Sequence, residues 1–189
     1  MALPGSRWAL QPPLPASAAF LTLYTLLAVP FLFHAGGELK LVVLSSVLAL
    51  ALAALSAIDL STYRLPDWLT LPLAAFGLLA TPIVLEAQPW WQLTSAALGF
   101  ALMAGVALIY RKLRGRDGLG LGDAKLLAAA GAWLGAEALP SVLLWACGSA
   151  ILALLLRAWR TGARSAEMPI PFGPFLAFGV WLVWLYGPL

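Results

Sequence analysis

The sequence predicts an all-α, polytopic integral membrane protein with about seven transmembrane helices and a cytoplasmic N-terminus. Three observations predict it. Of 189 residues, 62% are hydrophobic and only 10% charged, against roughly 45–50% and about 25% in an ordinary soluble domain, so the chain has too little polar surface to cover a core in water. The apolar residues gather into seven runs. The basic residues, 11 against 8 acidic for a net charge of +3, lie between those runs, as topology signals do, which points to a membrane and away from nucleic acid.

A crossing needs about 20 mostly apolar residues to span roughly 30 Å of hydrocarbon. The first run, 16–34, follows Arg7; its length, and the lack of a small-residue cleavage pattern after it, mark a retained anchor rather than a signal peptide. The second, 39–58, stops at Asp59, and the third, 68–85, starts after Pro66-Asp67. The fourth, 93–110, runs into the basic cluster Arg111–Arg116. The fifth, 124–139, is the shortest and is opened by Gly120-Leu121-Gly122-Asp123. The sixth, 141–159, follows Pro140, and the seventh, 170–187, begins with Pro171-Phe172-Gly173-Pro174, which can kink the helix start while Gly173 opens packing space.

Fusing the fifth and sixth runs would give one helix about 46 Å long at 1.5 Å per residue, too long for an upright crossing, and Pro140 with Gly135 and Glu137 offers a turn instead. Charge supports the separation. With seven crossings, Arg7, Arg64, Arg111, Lys112, Arg114, Arg116, Lys125, Arg157, Arg160 and Arg164 face the cytoplasm and only Lys40 faces outward, whereas fusion would move Arg157, Arg160 and Arg164 outside. The whole chain, 1–189, reads as one membrane-embedded domain without an internal repeat.

A single cysteine, Cys147, and a single histidine, His34, cannot build a Cys/His zinc site or a disulfide framework within one chain. HExxH, Walker A and GxGxxG sequences are absent as well. No metal or cofactor is therefore expected, and any chemistry falls to oxygen and nitrogen side chains. Cys147 reads as a packed helix residue and His34 as an interfacial one. The tryptophans, including Trp68, Trp90, Trp91 and Trp184, lie largely near predicted helix ends, as an aromatic belt requires.

Ionisable groups at membrane depth are costly and by default functional. Asp59, at the end of the second run, and Asp123, at the start of the fifth, fall by parity on the same cytoplasmic face. Taken singly, each reads equally as a cap or an interfacial residue. Taken together, they fit a carboxyl pair sharing one proton, in which the ionised partner deprotonates water while the neutral one polarises a scissile carbonyl and then protonates the leaving nitrogen. Gly120 and Gly122 permit close approach of backbone or substrate beside Asp123. The dipole of the helix that Asp123 opens favours its charged form, making Asp59 the more readily protonated member on that ground.

The segments Asp59-Leu60-Ser61-Thr62-Tyr63-Arg64-Leu65-Pro66-Asp67 and Gly120-Leu121-Gly122-Asp123-Ala124-Lys125, with Ile170-Pro171-Phe172-Gly173-Pro174-Phe175 near the end, resemble the type IV prepilin peptidases, membrane aspartic proteases with a Gly-x-Gly-Asp signature. The resemblance implies that Asp59 and Asp123 are catalytic and need no cofactor. It implies substrates that are prepilins or pseudopilin-like proteins of type IV pili or secretion systems, cleaved after a basic leader at the cytoplasmic membrane face. It also implies a location in the cell inner membrane. The longer members of that family carry an N-terminal cysteine-rich domain linked to methylation; with no cysteine before Asp59, the resemblance is to the peptidase portion alone and no methyl transfer is expected.

Among supporting residues, Asp67 reads as the N-cap of the third helix, although it lies near enough in sequence to reach the dyad or meet a basic leader. Arg64 can snorkel to phosphate headgroups or contact a carboxylate. Lys125 can tune the pair or reach headgroups, and Arg111–Arg116 with Asp117 reads as a topology and anionic-lipid element. Two other functions fit a membrane protein with paired acids: a small transporter coupling protons or cations, and a non-catalytic assembly factor. Paired halves with matching helix interruptions, the transporter signature, are missing. Oligomeric state has no sequence signal.

The predicted orientation has a direct test. In a Cys147→Ser background, a cysteine at Gly37 is labelled by a membrane-impermeant thiol reagent in intact cells, and one at Gly115 only after permeabilisation. The reverse pattern inverts the topology.

Overall fold

A computed structural model describes residues 14–34, 38–115, 120–161 and 170–189. These residues form seven α-helices and one 3₁₀ turn, with no strand among them. Expectations for Arg7, Arg116, Asp117 and Arg164, and for the His34 side chain, fall outside the described residues. Helix α1 spans Leu14–His34, α2 Leu39–Thr62, α3 Asp67–Leu85, α4 Pro89–Arg114, α5 Leu121–Leu134, α6 Leu139–Thr161 and α7 Gly173–Tyr186. Four stretches are long and apolar enough to cross a membrane: Leu39–Thr62, Asp67–Leu85, Pro89–Leu113 and Ala136–Arg160; Ala18–Ala28 and Gly173–Tyr186 are shorter apolar helices.

The breaks between helices follow local chemistry. α2 runs past Asp59 to Thr62, where Tyr63 turns left-handed (φ 55°) and its N–H closes on the Asp59 carbonyl at 2.8 Å. Pro66 then supplies the extended residue from which α3 starts. α5 stops at Gly135, whose φ of 84° suits glycine. A 3₁₀ turn, Ala136–Ala138, leads directly into α6. Pro140 is not the breaker expected of it. It lies in the first turn of α6, where the missing N–H is not needed.

α5 is the central helix. Eight of its 14 residues are buried, from Ala124 to Trp133, and α3, α4 and α7 pack around it. Its contact with α4 is backbone to backbone: a Cβ on Gly99 would stand 2.4 Å from the Leu127 carbonyl oxygen, and one on Gly131 would stand 2.3 Å from that of Ser95. Buried indoles stitch the helices together. Trp133 Nε1 donates to the Leu73 carbonyl at 2.9 Å, and Trp181 Nε1 to the Tyr24 carbonyl at 3.1 Å.

The tryptophans therefore divide. Trp68 and Trp90 are exposed near helix ends, as a belt residue would be. Trp133 and Trp181 are buried in the core, and Trp184, half-buried, donates to Ser45 Oγ at 2.9 Å. Cys147, expected to be packed, is exposed on α6, because a helix apolar all round gives no cue to which side faces protein.

Close packing of α4 on α5 makes a clear prediction. Gly131→Ala destabilises the bundle by about 1–3 kcal/mol through overpacking, whereas Gly148→Ala, with nothing within 4 Å of the added carbon, leaves stability unchanged or slightly raised. Thermal unfolding of the purified protein in detergent reads both.

Candidate active site

The two acids singled out in the sequence come together through three chain segments. α2 delivers Asp59 near its last turn, the Tyr63–Pro66 link delivers Arg64 and Leu65, and the start of α5 delivers Asp123. With Gly120, Gly122 and residues 170–172, they line one cleft of about 470 Å³. Tyr63 and Leu121 complete its rim, and both are exposed.

Asp59 is 5% exposed within an apolar bundle, and a carboxyl so placed needs a donor. The donor is the Gly173 backbone N–H, 3.0 Å from Asp59 Oδ2. Gly173 is the first residue of α7, so Asp59 meets a helix N-terminus with its unpaired amides. A Cβ at Gly173 would lie 2.5 Å from Oδ2, which makes glycine a requirement of the contact.

Leu65 is the wedge between the two sides. It is buried, lies 3.2 Å through Cδ2 from the Cβ that Gly173 lacks, and lies 2.9 Å through Cβ from the one that Gly122 lacks. The second glycine of Gly-x-Gly-Asp thus admits the α2–α3 link against α5. Gly120 is the N-cap residue of α5, and the Asp123 N–H donates to its carbonyl at 3.2 Å.

Asp123 stands outside the four long apolar stretches. Burial first, and then the Asp59 carboxylate, push its carboxyl up to about 7, while a hydrogen bond from the Gly120 backbone acts the other way. Burial and the like charge both oppose the charged form that the α5 dipole favours. Among the described residues, no three His, Cys, Asp or Glu side chains converge to hold a metal ion.

The supporting residues are arranged differently from expectation. Asp67 is not the N-cap of α3; Pro66 is, without a side-chain cap, and Asp67 is the first helical residue. Its Oδ1 accepts from Lys125 Nζ at 2.5 Å. Lys125 is thereby engaged with Asp67, and the pair bolts α3 to α5 beside the cleft. Arg64 lines the cleft itself. Gly173, read from sequence as packing space and as part of the Ile170–Phe175 motif, donates its backbone N–H to Asp59; that contact is what sequence reasoning missed, and its signal was a glycine between two prolines at the start of the last apolar run.

Comparison with known proteins adds a separate line. The type IV leader peptidase family matches residues 46–156. A prepilin leader peptidase/N-methyltransferase of Burkholderia pseudomallei is 46% identical over 132 residues, covering 70% of this chain and 42% of that protein. Proteins of the same description from Xanthomonas campestris pv. campestris and Pseudomonas aeruginosa are 40% and 38% identical, covering 75% of this chain and 49% and 48% of their own lengths. The chain therefore spans less than half the length of these curated relatives. No solved structure matches.

The two-carboxyl electrostatics can be checked without substrate. Asp59→Asn lowers the Asp123 midpoint from about 7 by removing a like charge, yet leaves it above the ordinary carboxylate range because burial is the larger cause. The protonated-carboxyl infrared band, followed against pH, measures it.

Proposed function

The chain belongs to the type IV leader peptidase family, and on that premise we propose that it is a membrane aspartic endopeptidase that removes the basic leader from prepilin or pseudopilin-like proteins. Asp59 and Asp123 are its catalytic pair. Gly120, Gly122, Arg64, Asp67 and Lys125 shape and support the site. The observation that carries the reading is the meeting of two carboxyl groups, 64 positions apart in a chain with few acids, in one open cleft.

A dyad holding one proton suffices for the reaction. The ionised carboxylate takes a proton from water as the water oxygen adds to the scissile carbonyl carbon, and the neutral carboxyl donates a hydrogen bond and then its proton to the carbonyl oxygen. Collapse of the tetrahedral intermediate breaks the C–N bond, and the leaving nitrogen receives its proton from the partner that took one from water, not, as expected from sequence, from the initially neutral one, which has already given its proton to the carbonyl oxygen. The products are a leader with a free carboxylate and a shortened protein with a new amino terminus.

The proposed setting is one membrane-embedded domain with seven crossings, the N-terminus in the cytoplasm and the dyad at the cytoplasmic face of the bacterial inner membrane. α5, at 14 residues or about 21 Å, is short for a crossing. Its neighbours enclose it, and irregular backbone such as its following 3₁₀ turn is tolerated at membrane depth where protein surrounds it. The relatives named above are described as acting on prepilin leaders; only the peptidase half of that description is carried to this chain. The relatives are described as peptidases, and the sequence lacks the paired halves with matching helix interruptions of many transporters, so the transporter reading is not favoured.

In a membrane cleavage assay with a prepilin-like substrate, Asp59→Asn and Asp123→Asn each lower the rate by at least about 100-fold while inserting and folding normally. Full cleavage by either variant overturns the dyad. The wild-type rate falls as pH rises through about 7, because the proton that Asp123 retains below that value is then lost.

A further inference from the structure

The geometry points to a division of labour inside the dyad: the Gly173 backbone N–H, at the amino end of α7, holds Asp59 as the ionised, water-activating partner and leaves Asp123 as the proton donor. Gly173 is a positioning residue in this scheme, acting through Asp59. The inference rests on the aspartic-protease reading and assigns roles within it.

Two features of the Gly173–Asp59 contact support it. The hydrogen bond is from a main-chain amide at a helix start, 3.0 Å from Oδ2, where the unpaired N–H groups and the helix dipole both favour a negative partner. The same contact is closed to every residue with a side chain, since a Cβ at position 173 would stand 2.5 Å from Oδ2 and 3.0 Å from the carboxyl carbon. Asp123 has a helix start too, but it lies within its own helix, at the third residue of α5. What Asp59 has in addition is a second helix aimed at it from 114 residues away.

The groups around Asp59 leave that assignment standing. Asp123 faces it from α5, and Tyr63 and Arg64 line the same cleft from the α2–α3 link. Residues 170–173 bring no titratable side chain. On α3, Asp67 is bound to Lys125 of α5, and on α1, Tyr24 is hydrogen-bonded to Ser56, about one turn before Asp59.

The division sets the direction of proton flow. Water loses its proton to Asp59, the carbonyl oxygen receives the Asp123 proton, and Asp59 then passes its acquired proton to the leaving nitrogen. When the C=O bond re-forms, the oxygen returns its proton to Asp123, so the pair ends as it began.

The test compares pH–rate profiles of the full-length wild type, Gly173→Ala and Gly179→Ala in proteoliposomes with a prepilin-like substrate. Gly179 is on the same helix, and a Cβ there would meet the Val142 carbonyl oxygen at 2.4 Å, so its variant disturbs α7 packing without touching Asp59. Losing a charge-assisted hydrogen bond moves the acid limb of the Gly173→Ala profile up by about one to two pH units, while Gly179→Ala lowers the rate with the limb in place. An unmoved limb in Gly173→Ala, or equal movement in both, overturns the inference.

If Gly173→Ala does not fold, infrared titration of the aspartate variants decides. The carboxyl step closest to neutrality is lost in Asp123→Asn and retained, at lower pH, in Asp59→Asn; its survival in Asp123→Asn overturns the inference. Failure of the wild type to cleave any prepilin-like substrate counts against the protease reading itself, and the infrared result still judges the assignment.

Discussion

A carboxyl group buried among apolar helices must find a donor or neutralise itself, and the way Asp59 meets that demand organises the site around it. Its donor is an amide of α7, so α2 and α7 must meet at the cleft end of the bundle. Their meeting seats Leu65 beside Gly173, and Leu65 in turn presses on Gly122. Asp123 is the next residue. A chain of contacts thus runs from one acid to the other through two glycines and one leucine, and neither glycine tolerates a Cβ without displacement.

α5 can carry the second acid because of where it lies. Its neighbours cover it, Gly99 and Gly131 let α4 approach to backbone contact, and Trp133 ties it to α3 through the Leu73 carbonyl. The Lys125–Asp67 pair adds a second tie to α3. At 27% and 59% side-chain exposure such a pair contributes at most about 1 kcal/mol; its larger consequence is to occupy the cation nearest in sequence to Asp123.

Much of this was legible in sequence because it is local. Apolar runs, prolines and glycines located seven helices to within a few residues, and Asp59 and Asp123 stood out as acids that an inert anchor does not need. What was not legible depends on which side of each helix faces protein. In soluble helices a polar stripe reports that; here the helices are apolar all round, so nothing distinguished the buried Trp133 and Trp181 from belt residues, or the exposed Cys147 from a packed one. The Lys125–Asp67 pair joins residues 58 positions apart, and the Gly173–Asp59 bond residues 114 apart. Such contacts belong to packing, which a single sequence does not encode as a pattern.

The helix ends beside the two acids differ in the same way. From sequence, only Asp123 adjoins a helix start, so only its charged form gains from a dipole and Asp59 is left as the proton holder. In the fold, α7 brings a second helix start to Asp59, and that argument no longer separates the two. Burial and the neighbouring carboxylate meanwhile favour the neutral form of Asp123. With Lys125 bound to Asp67, the proposed dyad limits like-charge repulsion by holding one proton between its two carboxyls. In the proposed dyad, a helix end on one carboxyl and a proton on the other offset the cost of holding two acids close.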